Sequence, residues 1–113
     1  MDEIRRLIKS DKTDKTVNVE KQNRHIRDTR EYVEGRSYLF DDTDPQELVD
    51  EYHGTGEAKF TESGIWKNKE VVSADRTIGV VVNHHTRDET ITNCFTIHYS
   101  RTGTHIVPTL RKD

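Results

Sequence analysis

Apolar side chains recur at every second position through the second half of the chain, which is the spacing of half-buried β-strands. The predicted strands span residues 69–74, 77–83, 89–100 and 104–108. The dipeptide Thr102-Gly103 suits a tight hairpin between the last two of them. Short connections of this kind join antiparallel neighbours. We therefore expect a meander of about four antiparallel strands.

The first half of the chain predicts helices. Asp44 stands at an N-cap position, with Pro45 at the first helical position and Glu47 three residues after the cap. Gly54 supplies the residue that ends this helix. Residues 2–9 have a weaker pattern of two helical turns. The predicted class is α+β, with N-terminal helices packed on one face of a twisted antiparallel sheet of about four strands.

Composition limits the possible functions. The chain has 113 residues, of which 30% are hydrophobic and 35% are charged, so it suits one small polar domain and contains no membrane-spanning segment. Its net charge of -3 argues against a general coat for nucleic acids, although a local basic site remains open. Residues 1–20 are predicted to be a linker or weakly ordered segment, and residues 21–113 a single domain.

The polar face of the last two strands carries the clearest candidate chemistry. His98 and Ser100 project from the same side of one strand. A two-residue turn would pair Ser100 with His105 and Tyr99 with Ile106, which keeps the apolar pair on the core side. Two imidazoles and a hydroxyl would then share one face, with Arg101 beside them. The alternative is an ordinary solvated sheet face.

Other candidates are less specific. His25 lies in a polar segment, whose composition alone favours an ordinary histidine in a surface loop over a functional one. Trp66, flanked by Lys67 and Lys69, is either a core residue or a ring on which a base stacks beside a bound phosphate. The six His and one Cys form no metal-ligand spacing, so no metal site and no cofactor are predicted.

Five short segments keep their order and spacing across residues 17–109. The segments are His25-Ile26-x-x-Thr29, Gly35-Arg36-Ser37-Tyr38-Leu39, Glu47-Leu48-Val49-Asp50-Glu51-Tyr52-x-Gly54-Thr55-Gly56, Trp66-x-x-Lys69-Glu70-Val71-Val72 and Ile97-His98-Tyr99-Ser100-x-x-Gly103-x-His105-Ile106-Val107-Pro108. Together they resemble polymorphic toxin type 50 domains. Those domains are C-terminal toxin modules of bacterial effectors, including contact-dependent growth-inhibition proteins, and they also occur on phage head proteins.

The resemblance implies a barnase/EndoU/colicin/RelE-like fold and a metal-independent ribonuclease that needs no cofactor. It also implies a cognate immunity protein. A larger secreted or cell-surface effector would deliver the toxin domain into the cytoplasm of a target cell. The toxin domain itself is expected to be monomeric. An RNA such as a tRNA would be the substrate, cleaved by attack of its 2′-OH on the adjacent phosphorus. Two alternatives remain, which are a toxin that degrades NAD or another nucleotide, and a non-catalytic module of a phage or surface protein.

Under this hypothesis the site residues divide into two groups. Histidine suits acid–base catalysis because its ordinary pKa is close to neutral pH. We expect His25 and either His98 or His105 to act as acid and base in an order left open. Ser100 would assist at the phosphorus. The predicted substrate-binding residues are Arg36, Lys69, Arg101 and Trp66.

Overall fold

The computed structural model describes residues 2–110 and has the predicted α+β architecture. Three helices are present in these residues: α1 (Asp2–Lys9), α2 (Val19–Asn23) and α3 (Pro45–Tyr52). The strands are β1 (Tyr38–Leu39), β2 (Glu57–Phe60), β3 (Trp66–Ser73), β4 (Gly79–Val82), β5 (Glu89–Thr92), β6 (Cys94–His98) and β7 (His105–Thr109). Met1 and residues 111–113, the end of the predicted domain, lie outside the described part of the chain.

The strands form two antiparallel sheets. The order is β2-β3-β6-β7 in the four-stranded sheet and β1-β4-β5 in the three-stranded one. The prediction of one continuous strand over residues 89–100 is therefore wrong, because β5 and β6 belong to different sheets. The break falls at Asn93, whose carbonyl accepts a bond from the Ala74 amide at 2.8 Å and whose side chain donates to the Ala74 carbonyl at 2.9 Å. These bonds turn the chain between the sheets.

The core lies between the four-stranded sheet and the helices. Phe95, Ile97 and Ile106 project from the sheet and are fully buried, and Ile8 of α1 and Leu48 of α3 pack against them. These apolar contacts fix the inner face of β6 and β7. The alternating residues on the same strands are thereby turned to the other face.

Helix α3 begins where the sequence predicts. The Asp44 side chain accepts a hydrogen bond from the Gln46 amide at 2.9 Å, and Pro45 occupies the first turn. Gly54 follows the helix with φ +80, a conformation that side chains with a Cβ rarely adopt. Local capping chemistry therefore sets both ends of this helix.

The hairpin between β6 and β7 has a longer loop than predicted. His98 pairs with His105 and Ile97 with Ile106, so the expected pairing of Ser100 with His105 is wrong by two residues. Residues 99–104 form the loop, in which the Gly103 amide donates to the Ser100 carbonyl at 3.1 Å. Because a shift of two residues preserves the faces of a strand, both histidines still lie on the predicted side.

The N-terminal residues contact the remainder of the fold. Besides Ile8 in the core, Val17 forms an isolated bridge with Thr104, and the Lys15 ammonium donates to the carbonyls of Ile8 and Ser10 at 3.0 and 2.8 Å. The domain boundary near residue 20 stays a prediction. The longest helices have eight residues each, and within residues 2–110 none is long and apolar enough to cross a bilayer.

Candidate active site

One row of polar side chains crosses the outer face of the four-stranded sheet. Lys69, His98 and His105 are direct cross-strand partners on β3, β6 and β7. Side chains in such positions stand side by side, with Cβ atoms about 5 Å apart. Glu70, which follows Lys69 on β3, and Ile97, which precedes His98 on β6, are buried on the core face. The row therefore faces away from the core.

Three imidazole rings stack at the end of this row. The centroids of the His98 and His105 rings are 4.7 Å apart with 26° between the planes. His25, from the loop after α2, lies on the other side of His105 at 6.1 Å and 8°. The structure thus brings together the three histidines that the sequence singled out, although they are far apart along the chain.

The His25 ring is held by the backbone of a neighbouring loop. Its Nδ1 lies 2.8 Å from the Ser37 carbonyl oxygen, and its own carbonyl accepts a bond from the Leu39 amide at 2.9 Å. Because a carbonyl can only accept, Nδ1 carries the proton when the ring is neutral. The free lone pair of His25 is then on Nε2.

Gln22 anchors the segment that supplies His25. Its side chain is buried against β7, where Nε2 donates to the Ile106 carbonyl at 2.9 Å and Oε1 accepts from the Ile106 amide at 2.7 Å. The amide group thereby continues the sheet beyond its last strand. This contact holds α2, and with it Lys21 and His25, beside His105. Nothing in the local sequence pattern reveals the contact, since the role depends on the tertiary position of β7.

Ser100 lies in the β6–β7 loop rather than between the imidazoles. The Lys21 ammonium donates to Ser100 Oγ at 3.2 Å and to Thr102 Oγ1 at 2.6 Å. The two hydroxyls therefore fix Lys21, a residue that the sequence reasoning missed. The Lys21 amide donates to Asn18 Oδ1 at 3.1 Å, which caps the start of α2. An asparagine before a helix is a sequence signal for its first turn, and it could have pointed to Lys21.

Burial and positive charge keep all three rings neutral. Burial, and after it repulsion by Lys69 and by the protonated form of His25, lowers the pKa of His98 to about 4. The pKa of His105 is also lowered to about 4, first by burial and then by His98, His25, Lys21 and Arg24. The pKa of His25 is lowered by burial and by Arg36 and Arg24, partly opposed by its bond to Ser37. The charges that act on these rings are thus all positive, a setting that attracts an anion.

The ring geometry does not suit a shared metal ion. The nitrogen lone pairs of an imidazole lie in the ring plane, and the planes here are nearly parallel, so the lone pairs do not converge on one point. Within the described residues no group of three metal-ligating side chains is arranged to hold an ion.

One ring nitrogen of the cluster is unpaired. Among residues 2–110, His105 Nδ1 is buried and has no hydrogen-bond partner. Such an atom is an open position for a ligand.

The remaining predicted residues divide between two places. Arg36 is exposed in the loop beside His25 and acts on it by charge. Trp66 packs against Tyr99 with ring centroids 5.8 Å apart, and its Nε1 donates to the Lys69 carbonyl at 3.0 Å. It lines a cleft of about 860 Å³ together with Ser100 and Arg101. Trp66 and Arg101 therefore lie beside the histidine cluster rather than in it.

Comparison with known proteins places the chain in a family. The chain matches the family model described as bacterial toxin 50 over residues 17–108, a stretch that includes all three histidines and Lys69. No curated protein matches the chain. Because the match covers well over half of the sequence, the chain belongs to the bacterial toxin 50 family.

Proposed function

We propose that this toxin domain is a metal-independent ribonuclease that cleaves RNA by transesterification. The observation that carries the proposal is the stack of His25, His105 and His98, neutral imidazoles whose pKa values are lowered by burial and by nearby cations, which are Lys21, Arg24, Arg36 and Lys69. Neutral imidazoles can accept protons at neutral pH, and positive charge attracts the phosphodiester.

His25 is the general base of this proposal. Its Nδ1 proton is directed to the Ser37 carbonyl, so Nε2 is free to take the proton of a ribose 2′-OH. The 2′ oxygen then forms a bond to the adjacent phosphorus while the bond from phosphorus to the 5′ oxygen breaks. The products are a 2′,3′-cyclic phosphate and a chain that begins with a 5′-OH.

The pair His98 and His105 supplies the proton for the leaving 5′ oxygen. A phosphate bound beside the pair favours the protonated form of a ring, since opposite charge raises a histidine pKa. With the ring centroids 4.7 Å apart, repulsion disfavours charging both rings, so the pair takes up one proton. Substrate binding would therefore charge the acid that the reaction needs.

Cations around the stack stabilise the charge that develops on the phosphorane oxygens. Lys69 stands opposite His98 in the sheet, and Arg36 lies beside His25. Lys21 joins them, with Ser100 fixing its ammonium. Groups positioned in this way act most strongly in the transition state, when the oxygens are most negative. Trp66 and Arg101 would contact the RNA beyond the scissile bond.

The biological setting of the proposal follows the family. A larger secreted or surface effector delivers the domain into a target cell, and the producing cell makes an immunity protein against it. One folded RNA, such as a tRNA, is the candidate substrate. Eight acidic residues against one lysine in residues 41–62 would weaken binding to other RNA, because non-specific affinity depends on phosphate contacts.

The test is induced expression of the wild type, His25→Ala, His98→Ala and His105→Ala, with His84→Ala in an exposed turn as the matched control. RNA is resolved on a denaturing gel, fragment ends are analysed for cyclic phosphate, and NAD is followed in the same cells. We expect each cluster variant to lose about 10²- to 10⁴-fold in cleavage rate, while the control cleaves like the wild type.

Two results would overturn the proposal. Intact RNA with loss of NAD in the wild type would favour a nucleotide-degrading toxin. Intact RNA and harmless expression of every variant would favour a non-catalytic module. Circular dichroism of each purified variant separates lost chemistry from lost structure.

A further inference from the structure

A second cleft lies on the far side of the loop that holds His25. Its volume is about 880 Å³, and its lining includes Arg27, Tyr32, Gly35, Tyr38, Arg87 and Glu89. The loop links this cleft to the histidine cluster directly. Arg27 is two residues after His25, a span of at most about 7 Å along the chain, and Tyr38 follows the carbonyl that His25 contacts.

The floor of the cleft is aromatic and fixed. The Tyr38 hydroxyl donates to Glu89 at 2.6 Å, and the Arg27 guanidinium lies over the Tyr38 ring at 4.2 Å from its centroid. The Tyr32 ring meets Tyr38 edge-on, with centroids 6.4 Å apart and 86° between the planes. Tyr32 is only half-buried, so part of its ring and the outer face of Arg27 remain open to a ligand.

The Arg87 guanidinium lies against the backbone of Gly35. Its guanidinium lies so close to Gly35 that a Cβ there would collide with Nη1, and Gly35 itself has φ +91. Arg87 has φ +67, which is uncommon for a residue with a side chain. Uncommon backbone conformations of this kind concentrate at ligand sites.

Neither arginine of the cleft has an acidic partner within the described residues. The ion pairs there involve only Lys59 and Arg76, so no carboxylate oxygen lies within 4.0 Å of Arg27 or Arg87. This is unexpected in a chain with more acids than bases. Two free guanidiniums beside an open aromatic ring fit a phosphate joined to a planar base.

We propose that this cleft binds a nucleotide of single-stranded RNA next to the scissile phosphate. Arg87 and Arg27 contact the phosphate, and the base stacks on Tyr32 and the guanidinium plane of Arg27. The inference rests on the proposed ribonuclease function, because the nucleotide is part of the same RNA strand. It adds a site that determines which RNA conformation is accepted, since a paired base cannot stack on a protein ring.

The experiment measures binding without cleavage. A fluorescein-labelled 2′-O-methyl RNA oligonucleotide has no free 2′-OH, so it binds but is not cut. Its affinity is measured by fluorescence anisotropy for the wild type, Arg27→Gln/Arg87→Gln and Arg76→Gln. The last is the control for loss of positive charge at an exposed arginine outside the cleft, and it removes one charge against the two that the double variant removes.

We expect the double variant to bind at least about tenfold more weakly. The slope of log affinity against log salt should fall by about 0.7 for each phosphate that the variant no longer neutralises. Arg76→Gln should bind like the wild type. A further variant keeps the test independent of the arginines: Tyr32→Ala, which removes the ring on which the base stacks, should weaken binding about tenfold.

The outcomes separate the two proposals. If the double variant and Tyr32→Ala both bind with wild-type affinity, the cleft is not a nucleotide site. The same conclusion follows if the wild type does not bind the oligonucleotide. The wild type could instead bind the oligonucleotide through the two arginines and leave unmodified RNA intact. That result would support the nucleotide site and contradict the proposed ribonuclease activity.

Discussion

The two faces of the four-stranded sheet carry polar groups at adjacent residues, but these groups differ in how completely they are hydrogen-bonded. On the core face, Glu70 is fully buried and its carboxylate accepts three hydrogen bonds. They come from the Gly54 amide at 3.0 Å, the Gly56 amide at 2.8 Å and the Tyr99 hydroxyl at 2.7 Å. Burial raises the pKa of Tyr99, and its bond to Glu70 raises it further, so the hydroxyl stays a donor.

On the outer face, the neighbouring residues form an incomplete network. His98 and His105 are half-buried, and within the described residues His105 Nδ1 has no partner. A buried polar network stabilises a fold when each member is bonded, and it costs stability when members are left open. The hydrogen bonds of Glu70 thus connect the α3–β2 turn to the hairpin, whereas His105 Nδ1 on the outer face has no partner among the described residues.

The largest effect we expect is on the core face. Glu70→Ala leaves two buried amides and the Tyr99 hydroxyl without an acceptor, so the free energy of unfolding should fall by about 4 kcal/mol. Urea denaturation measures it. The matched control is Glu57→Ala, an exposed carboxylate on β2 that should change stability by less than about 0.5 kcal/mol. Similar losses in both variants would mean that the buried network does not stabilise the fold.

A pH titration gives the next effect, on the outer face. The histidines have pKa values of about 4 when folded against an ordinary value of 6.5, so below pH 6.5 the unfolded state binds more protons. The stability they contribute is complete above pH 6.5 and is lost as pH falls toward 4. Because His98 and His105 are partly exposed, solvent screening reduces the full effect of the two shifts, and between pH 7 and pH 5 the free energy of unfolding should fall on the order of 2 kcal/mol.

Substitution identifies the source of this pH dependence. His98→Gln/His105→Gln should flatten the decline between pH 7 and pH 5, and His84→Gln, in an exposed turn, should leave it in place. Denaturant midpoints across the pH range provide the measurement. A decline that persists unchanged in the double variant would show that other groups titrate, and the cluster would then not hold neutral rings.

Local chemistry made part of this fold predictable. The start of α3 followed from Asp44 and Pro45, whose effects extend over one helical turn. The face on which His98 and His105 lie was also predictable, since the apolar alternation of two strands fixes it. That prediction is correct although the predicted pairing of β6 with β7 is wrong, because a shift of two residues leaves every side chain on the same face.

Tertiary contacts made the remainder unpredictable. The break at Asn93 depends on Ala74, nineteen residues away, and the docking of α2 depends on Gln22 meeting the edge of β7. His25 could be named from the sequence as a candidate but not placed, because its ring position depends on the Ser37 carbonyl. Ser100 was misplaced because the β6–β7 ladder ends at the pair of His98 and His105, which leaves Ser100 in the loop.

The smallest effect tests whether individual cations act on individual rings. Lys21 lowers the pKa of His105, and Lys69 lowers that of His98. Lys21→Met should therefore raise mainly the pKa of His105, and Lys69→Met mainly that of His98, each by less than about one unit because partly exposed charges interact weakly. NMR titration of the ring protons measures both values in each variant. Lys12→Met, an exposed lysine in the loop after α1, is the control. Equal shifts of both rings in both variants would contradict this assignment of one cation to each ring and would mean that the two rings titrate as one unit.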